Sequence, residues 1–348
     1  MRASIPWLRL AALIAASIAV LALIHAPSPT LFGGLVGSLI YALAARQELS
    51  LPPWAFTVGQ AIVGISIGGM VDLPTLRGLG AHWVIVLAVT LGTLVLSVAA
   101  GQVLRLHKGV SAVTGSFAMV AGGASGMTAL AHDLGADDRV VTVVQYFRVL
   151  VVLLAMPAIV AIVFQPGSHS AVALAIDTPS GPMSLLFVVV ALPLGLLLGR
   201  VLHLPAPAIL GCLVAGLGLA LLPSFGHVQV PTPILAVGYA LVGIQVGLKF
   251  TLESLRSISR MLPTAFVLIA VVIAGSAGMG VVLANVAGVS QLDGYLATTP
   301  GGLYAVLATA ADTGSNVTFV TGVQLVRLLV VLFSAPLLAR LLPHDSQT

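Results

Sequence analysis

The chain alternates long apolar runs with short breaks of polar residues and proline. In its first half the runs lie near 7–25, 29–46, 53–71, 83–104 and 139–164. In its second half they lie near 183–203, 206–222, 232–250, 261–286 and 316–342. Each run is continuous, rich in Leu, Val, Ala and Gly, and long enough to cross a bilayer as a helix. A membrane β-barrel would need short alternating segments instead, so helices are predicted. Two further apolar segments are interrupted by glycine: "GVSAVTGSFAMVAGGASGMTALAHDLG" and "GVSQLDGYLATTPGGLYAVLATAADTG".

Shifted by 179 residues, the chain falls on itself. Gly122 lands on Gly301, Gly123 on Gly302, Asp133 on Asp312, Gln145 on Gln324, Arg148 on Arg327 and Pro157 on Pro336. From Gly122 to Pro157, 16 of 36 positions are identical without a gap, more than shared apolar composition supplies. "AIVGISIG" (Ala61 to Gly68) meets "ALVGIQVG" (Ala240 to Gly247) at the same offset. "PTLFGGLVG" (Pro29 to Gly37) meets "PAILGCLVA" (Pro207 to Ala215) with a shift of one. Two copies of one membrane unit are therefore expected: repeat 1 over 1–164, a linker over 165–182 and repeat 2 over 183–348.

Composition agrees. Hydrophobic residues make up 59% of the 348 positions and charged residues only 7%, with a mean hydropathy of +1.15. Soluble domains carry about 25% charged residues. A chain this apolar cannot cover a water-facing surface, so an integral membrane protein is expected. The N-terminal run is longer than a signal-peptide core and has a counterpart near Met183 to His203, so it reads as a first span. The single cysteine, Cys212, excludes an internal disulfide framework and a cysteine-based metal site. No Lys/Arg cluster suits nucleic acid.

Charge decides how the glycine-broken segments run. If both cross the membrane, six basic residues lie on each side. If both dip in and return, eleven lie inside and only Arg77 outside, leaving Arg148 and Arg327 within spans. The positive-inside rule prefers the second arrangement. Five crossings per copy is odd, so the copies point in opposite directions. The expected fold class is an all-α integral membrane protein with two inverted repeats of about five transmembrane helices. Each repeat carries a Gly-Gly re-entrant or broken-helix segment. Inverted repeats characterise secondary transporters.

Gln145 and Arg148 share a helix face, as do Gln324 and Arg327. Each Arg lies near the middle of its run, where an unpaired cation costs about 2.5–3.5 kcal/mol on insertion scales. Two readings follow. In the functional one, the guanidiniums meet a carboxylate-like substrate, the Gln amides orient it, and the tips contribute Gly122, Gly123 and Ser125 in one copy and Thr299, Gly301, Gly302 and Tyr304 in the other. In the structural one, each Arg pairs with Asp133 or Asp312, or with tip carbonyls, and holds the hairpin down. Asp133 and Asp312 are also candidates for ion coupling. The GxxxG patterns Gly64–Gly68 and Gly243–Gly247 read as tight helix packing. The eight histidines are scattered and form no metal-oxygenase set.

The repeated pattern of Gly-Gly, then Asp133 or Asp312, then Gln-x-x-Arg and Pro resembles the bacterial membrane AbrB family, which is known for an internal duplication. The resemblance covers nearly the whole chain. It implies a multi-pass protein of the bacterial inner membrane, and it brings the family's labels of ammonia monooxygenase and regulator of gene expression. The shared name with a soluble DNA-binding regulator reads as an accident of naming.

The expected function is secondary transport of a small organic anion or amino-acid-like solute by alternating access. The alternative is a membrane regulatory protein acting indirectly on gene expression, and the oxygenase label is disfavoured for want of metal ligands. No cofactor, no enzymatic activity and no nucleic-acid partner are expected. The expected partners are the solute and the lipid bilayer, with a second copy of the chain as a candidate. Both termini are expected in the cytoplasm.

Overall fold

A computed structural model describes residues 4–45, 49–71, 73–107, 110–121, 136–165, 181–204, 206–222, 225, 228–250, 252, 256 and 259–341. Among these residues the chain is helical and has no strand. The first half contributes α1 (Ser4–Leu23), α2 (Pro29–Ala44), α3 (Pro53–Met70), α4 (Leu73–Ala81), α5 (Trp83–Leu104), α6 (Ala112–Met119) and α7 (Asp138–Ile159). The second half contributes α8 (Pro182–Val201), α9 (Pro207–Ala220), α10 (Thr232–Leu248), α11 (Leu262–Ala287), α12 (Gln291–Thr298), α13 (Leu303–Asp312) and α14 (Val317–Leu341).

Proline sets many of the starts. It occupies the first or second position of α2, α3, α8, α9, α10 and α11. Its missing N–H costs nothing there, and its fixed φ suits a helix start. Pro157 lies inside α7, and the chain passes into π winding over Val160–Phe164. Among the described residues, five helical segments are long and apolar enough to cross a membrane: Ile5–Leu23, Trp83–Leu104, Val140–Phe164, Pro182–Val201 and Leu262–Ala287. Their outward faces carry large apolar side chains, including Val95, Val189, Phe266 and Val267. Lipid can cover such faces; water cannot.

The chain forms two compact units, and each draws on both halves of the sequence. One takes Met1–Leu73, Pro157–Thr251 and Leu307–Thr318. The other takes Pro74–Met156, Leu252–Val306 and Phe319–Thr348.

In the first unit, α3 packs on α9 and α10 packs on α2. Both crossings run through the predicted GxxxG glycines. A Cβ on Gly64 would strike Ile209 O, and one on Gly68 would strike Leu213 O. On the equivalent helix, a Cβ on Gly243 would strike Leu31 O, and one on Gly247 would strike Leu35 O. Both pairs are thus parallel and in near-contact of backbones, the geometry that small residues permit. The exchange is reciprocal: α3 of one copy meets α9 of the other, and α10 meets α2.

In the second unit, α5 packs on α11, its own repeat equivalent. A Cβ on Gly92 would lie 2.7 Å from Met279 Sδ, and one on Gly275 would lie 2.5 Å from Leu96 Cδ2. As α5 advances from 92 to 96, its contact on α11 retreats from 279 to 275. The two equivalent helices are therefore antiparallel.

Candidate functional site

The candidate site lies in the second unit, where two short helices end among longer ones. Ser111 caps α6, its Oγ accepting from Thr114 N at 3.1 Å. Ser290 and Asp293 form a reciprocal capping box at the start of α12. Each short helix lies against the long helix before it through a pair of glycines. A Cβ on Gly101 would lie 2.5 Å from Gly115 O, and one on Gly280 would lie 2.6 Å from Gly294 O. The pairs correspond at the repeat offset.

Both short helices stop after eight residues. In the second copy the reason is local. Thr299 leaves the helical region, Pro300 has no N–H to donate, and Gly301–Gly302 follow. A helix that stops inside protein leaves its last carbonyls without intrahelical donors, and its end carries partial negative charge.

The Gln-x-x-Arg pairs supply those donors. Gln145 Nε2 donates to Phe117 O at 2.6 Å and to Val120 O at 2.9 Å. Arg148 Nη1 donates to Met119 O at 2.6 Å, and its Nη2 to Gln145 Oε1 at 2.8 Å. In the second copy Gln324 Nε2 donates to Leu296 O at 2.8 Å and to Thr299 O at 3.3 Å, and Arg327 Nη1 donates to Thr299 O at 2.5 Å. Phe117 and Leu296 are repeat equivalents, as are Val120 and Thr299. Both arginines thus contact carbonyls at the short-helix ends.

All four side chains are buried; Arg148 is 3% exposed and Arg327 8%. The Arg327 charge reaches Arg148. Among the described residues no carboxylate pairs with either guanidinium. Arg148 Nε, Arg327 Nε and Gln324 Oε1 have no hydrogen-bond partner there.

The start of α7 lies beside the start of α6, since Asp137 N donates to Thr114 Oγ1 at 3.0 Å. Further along, Gln145 and Arg148 meet the other end of α6. The two helices therefore run in the same direction. The second tip rests on the turn of α7 that follows Arg148: a Cβ on Gly301 would strike Val152 Cγ1, and one on Gly302 would lie 3.8 Å from Val149 Cγ1. Only a residue without a Cβ allows the approach at Gly301.

Gly122, Gly123, Ser125 and Asp133 lie outside the described residues. Thr299 is buried, but its Oγ1 donates back to Tyr295 O at 2.7 Å, so its hydroxyl serves its own helix. Its carbonyl is the atom the site uses. Tyr304 is half-buried in the first turn of α13. Asp312, at the other end of α13, accepts from Ser28 Oγ at 2.6 Å. Ser28 escaped sequence reasoning because nothing local marks a serine before proline as the partner of an aspartate 284 residues away.

The family model described as "Transition state regulatory protein AbrB" matches residues 2–68 and 30–343. The chain belongs to the AbrB family. An AbrB-family relative in Escherichia coli (strain K12), named "Putative regulator AbrB", is 31% identical over 319 residues, covering 91% of this chain and 90% of its own length. Another, "Uncharacterized protein YhjN" of Bacillus subtilis (strain 168), is 26% identical over 341 residues, covering 90% of this chain and 88% of its own length.

Proposed function

We propose that this AbrB-family protein is a secondary transporter of a small organic anion or amino-acid-like solute. The observation that carries the reading is the buried arginine pair at the ends of two short helices. Two guanidiniums bring two positive charges. Each helix end offsets them by roughly half a charge. About one positive charge is left over, and a buried charge needs a partner. A carboxylate between the guanidiniums supplies it, and the free Gln324 Oε1 accepts a hydrogen bond from a donor on the same solute.

The helix directions support alternating access. Antiparallel α5 and α11 are what two inverted copies produce. Parallel α6 and α7 fit a chain that enters with α6 and is back on its own side by Asp137, as in a re-entrant segment. Inverted repeats with interrupted helices at mid-depth are the common plan of secondary transporters. The basic residues then favour cytoplasmic termini in a bacterial inner membrane.

The name of the Escherichia coli relative favours a second reading, in which the protein regulates gene expression indirectly from the membrane. One experiment separates the two. The detergent-purified protein is heated with carboxylates, amino acids and inorganic anions, alongside Arg148→Gln and Arg327→Gln. Under the transport reading a carboxylate raises the wild-type melting temperature but neither variant's, and the same solute exchanges across proteoliposomes. Stabilisation without exchange would favour a sensor.

A further inference from the structure

A second polar cluster lies in the first unit. Asp312 closes α13, and its Oδ2 accepts from Ser28 Oγ at 2.6 Å. Ser28 is 1% exposed and stands in the left-handed region at φ 48° immediately before α2. Tyr239 of α10 is buried and close enough to feel the Asp312 charge. One turn before Asp312 on α13, Thr309 is fully buried and its Oγ1 has no hydrogen-bond partner among the described residues. Positions three apart share a helix face, so this hydroxyl is on the carboxylate's side. No basic side chain among the described residues pairs with Asp312.

The repeat serves as an internal control. Structural duties recur in both copies: Ser28 and its equivalent Ala206 both take left-handed backbone before a proline, as do His25 and His203 near the preceding helix ends. The hydroxyls do not recur. Ala206 stands for Ser28, Leu130 for Thr309 and Gln60 for Tyr239; only the aspartate is kept, as Asp133. The backbone at Ser28 therefore does not require a hydroxyl, since alanine adopts it too. A serine hydroxyl bonded to the carboxylate, a buried threonine hydroxyl one turn away left unpartnered among the described residues and a tyrosine within reach of its charge, with no hydroxyl at the equivalent positions of the other copy, indicate a role that packing does not supply. A carboxylate within an apolar protein, hydroxyls around it and no cation beside it match what a hard monovalent cation needs.

We propose that Asp312, Ser28, Thr309 and Tyr239 form the coupling-cation site, holding a proton or a sodium ion on the Asp312 carboxylate. This rests on the transport reading. The groups facing Asp312 are Ser28 before α2, Tyr239 on α10 and Thr309 on its own helix. Tyr239 is the one titratable side chain among them.

The test is infrared difference spectroscopy of the full-length protein in detergent, first on exchanging K⁺ for Na⁺ at fixed pH, then on stepping pH in K⁺. A carboxyl band that responds and vanishes in Asp312→Asn is the expected result. Response to Na⁺ assigns sodium, and response to pH alone assigns the proton. Ser28→Ala and Thr309→Val, which keep the carboxylate, should weaken the response about tenfold or more by removing a bond to a charged group. If neither exchange moves a band that Asp312→Asn removes, or if both hydroxyl variants respond like wild type, the site is overturned. Proteoliposome flux separates this from the reading beneath it. Solute exchange that ignores both cations leaves transport standing and removes the coupling site. An Asp312 response without any exchange leaves the site standing and removes transport.

Discussion

Arg148 donates Nη2 to Gln145 Oε1 at 2.8 Å, whereas Arg327 makes no such bond to Gln324, whose Oε1 has no partner among the described residues. The same two residue types at the same spacing are thus locked together in one copy and open in the other. Gln145 is committed to the protein through all its polar atoms. Gln324 keeps one acceptor for something else.

Gln145→Leu should therefore cost more stability than Gln324→Leu. Gln145→Leu strands two carbonyls at a short-helix end, Phe117 O and Val120 O, whereas Gln324→Leu strands only Leu296 O, because Arg327 still donates to Thr299 O; each buried group left unsatisfied costs about 1–3 kcal/mol. Gln145→Leu also strands Arg148 Nη2. Thermal unfolding of the two variants in one detergent measures the order. Equal losses would mean that neither the Arg148–Gln145 bond nor the second carbonyl contributes anything net.

Lysine should replace each arginine only in part. It keeps the charge but not the fork that reaches a carbonyl and a second group together. In Arg148→Lys and Arg327→Lys, stabilisation by a carboxylate should shrink; in the glutamine variants it should disappear. The readout is the melting shift at a fixed carboxylate concentration. Lysine variants that match wild type would show that charge alone suffices.

The glycines that seat α6 and α12 should not tolerate a branched side chain. At Gly101 and Gly280 a Cβ already approaches a carbonyl oxygen of the short helix, at 2.5 Å and 2.6 Å. Gly101→Val and Gly280→Val should each cost about 1–3 kcal/mol or more, as overpacking does, and lower the folded yield on size exclusion. Gly78, with nothing within 4 Å of its Cβ position, should accept alanine unchanged.

Cysteine labelling tests the direction of the short helices. In a Cys212→Ala background, His107→Cys and Ala136→Cys should react with a membrane-impermeant maleimide from the same side of sealed vesicles. Val289→Cys and Ser315→Cys should react together from the opposite side. Labelling of 107 and 136 from opposite sides would mean that the first broken segment crosses the membrane.

The sequence alone determined the helices and the duplication. Apolar runs and prolines are local signals. The ten predicted runs correspond to α1, α2, α3, α5, α7, α8, α9, α10, α11 and α14, with ends that differ by a few residues. The Gln-x-x-Arg spacing fixed a shared helix face, and all four side chains are buried. Tertiary structure decided what those side chains touch. The carbonyls of Phe117, Met119 and Val120 lie 25 to 29 residues from their donors, and Ser28 lies 284 residues from Asp312. A backbone carbonyl leaves no mark in a side-chain pattern. Whether it needs a partner depends on where its helix stops and whether water can reach that end. The mixing of both halves in each compact unit has the same origin: apolar faces carry no address, and close packing between glycine-bearing helices chooses the neighbour.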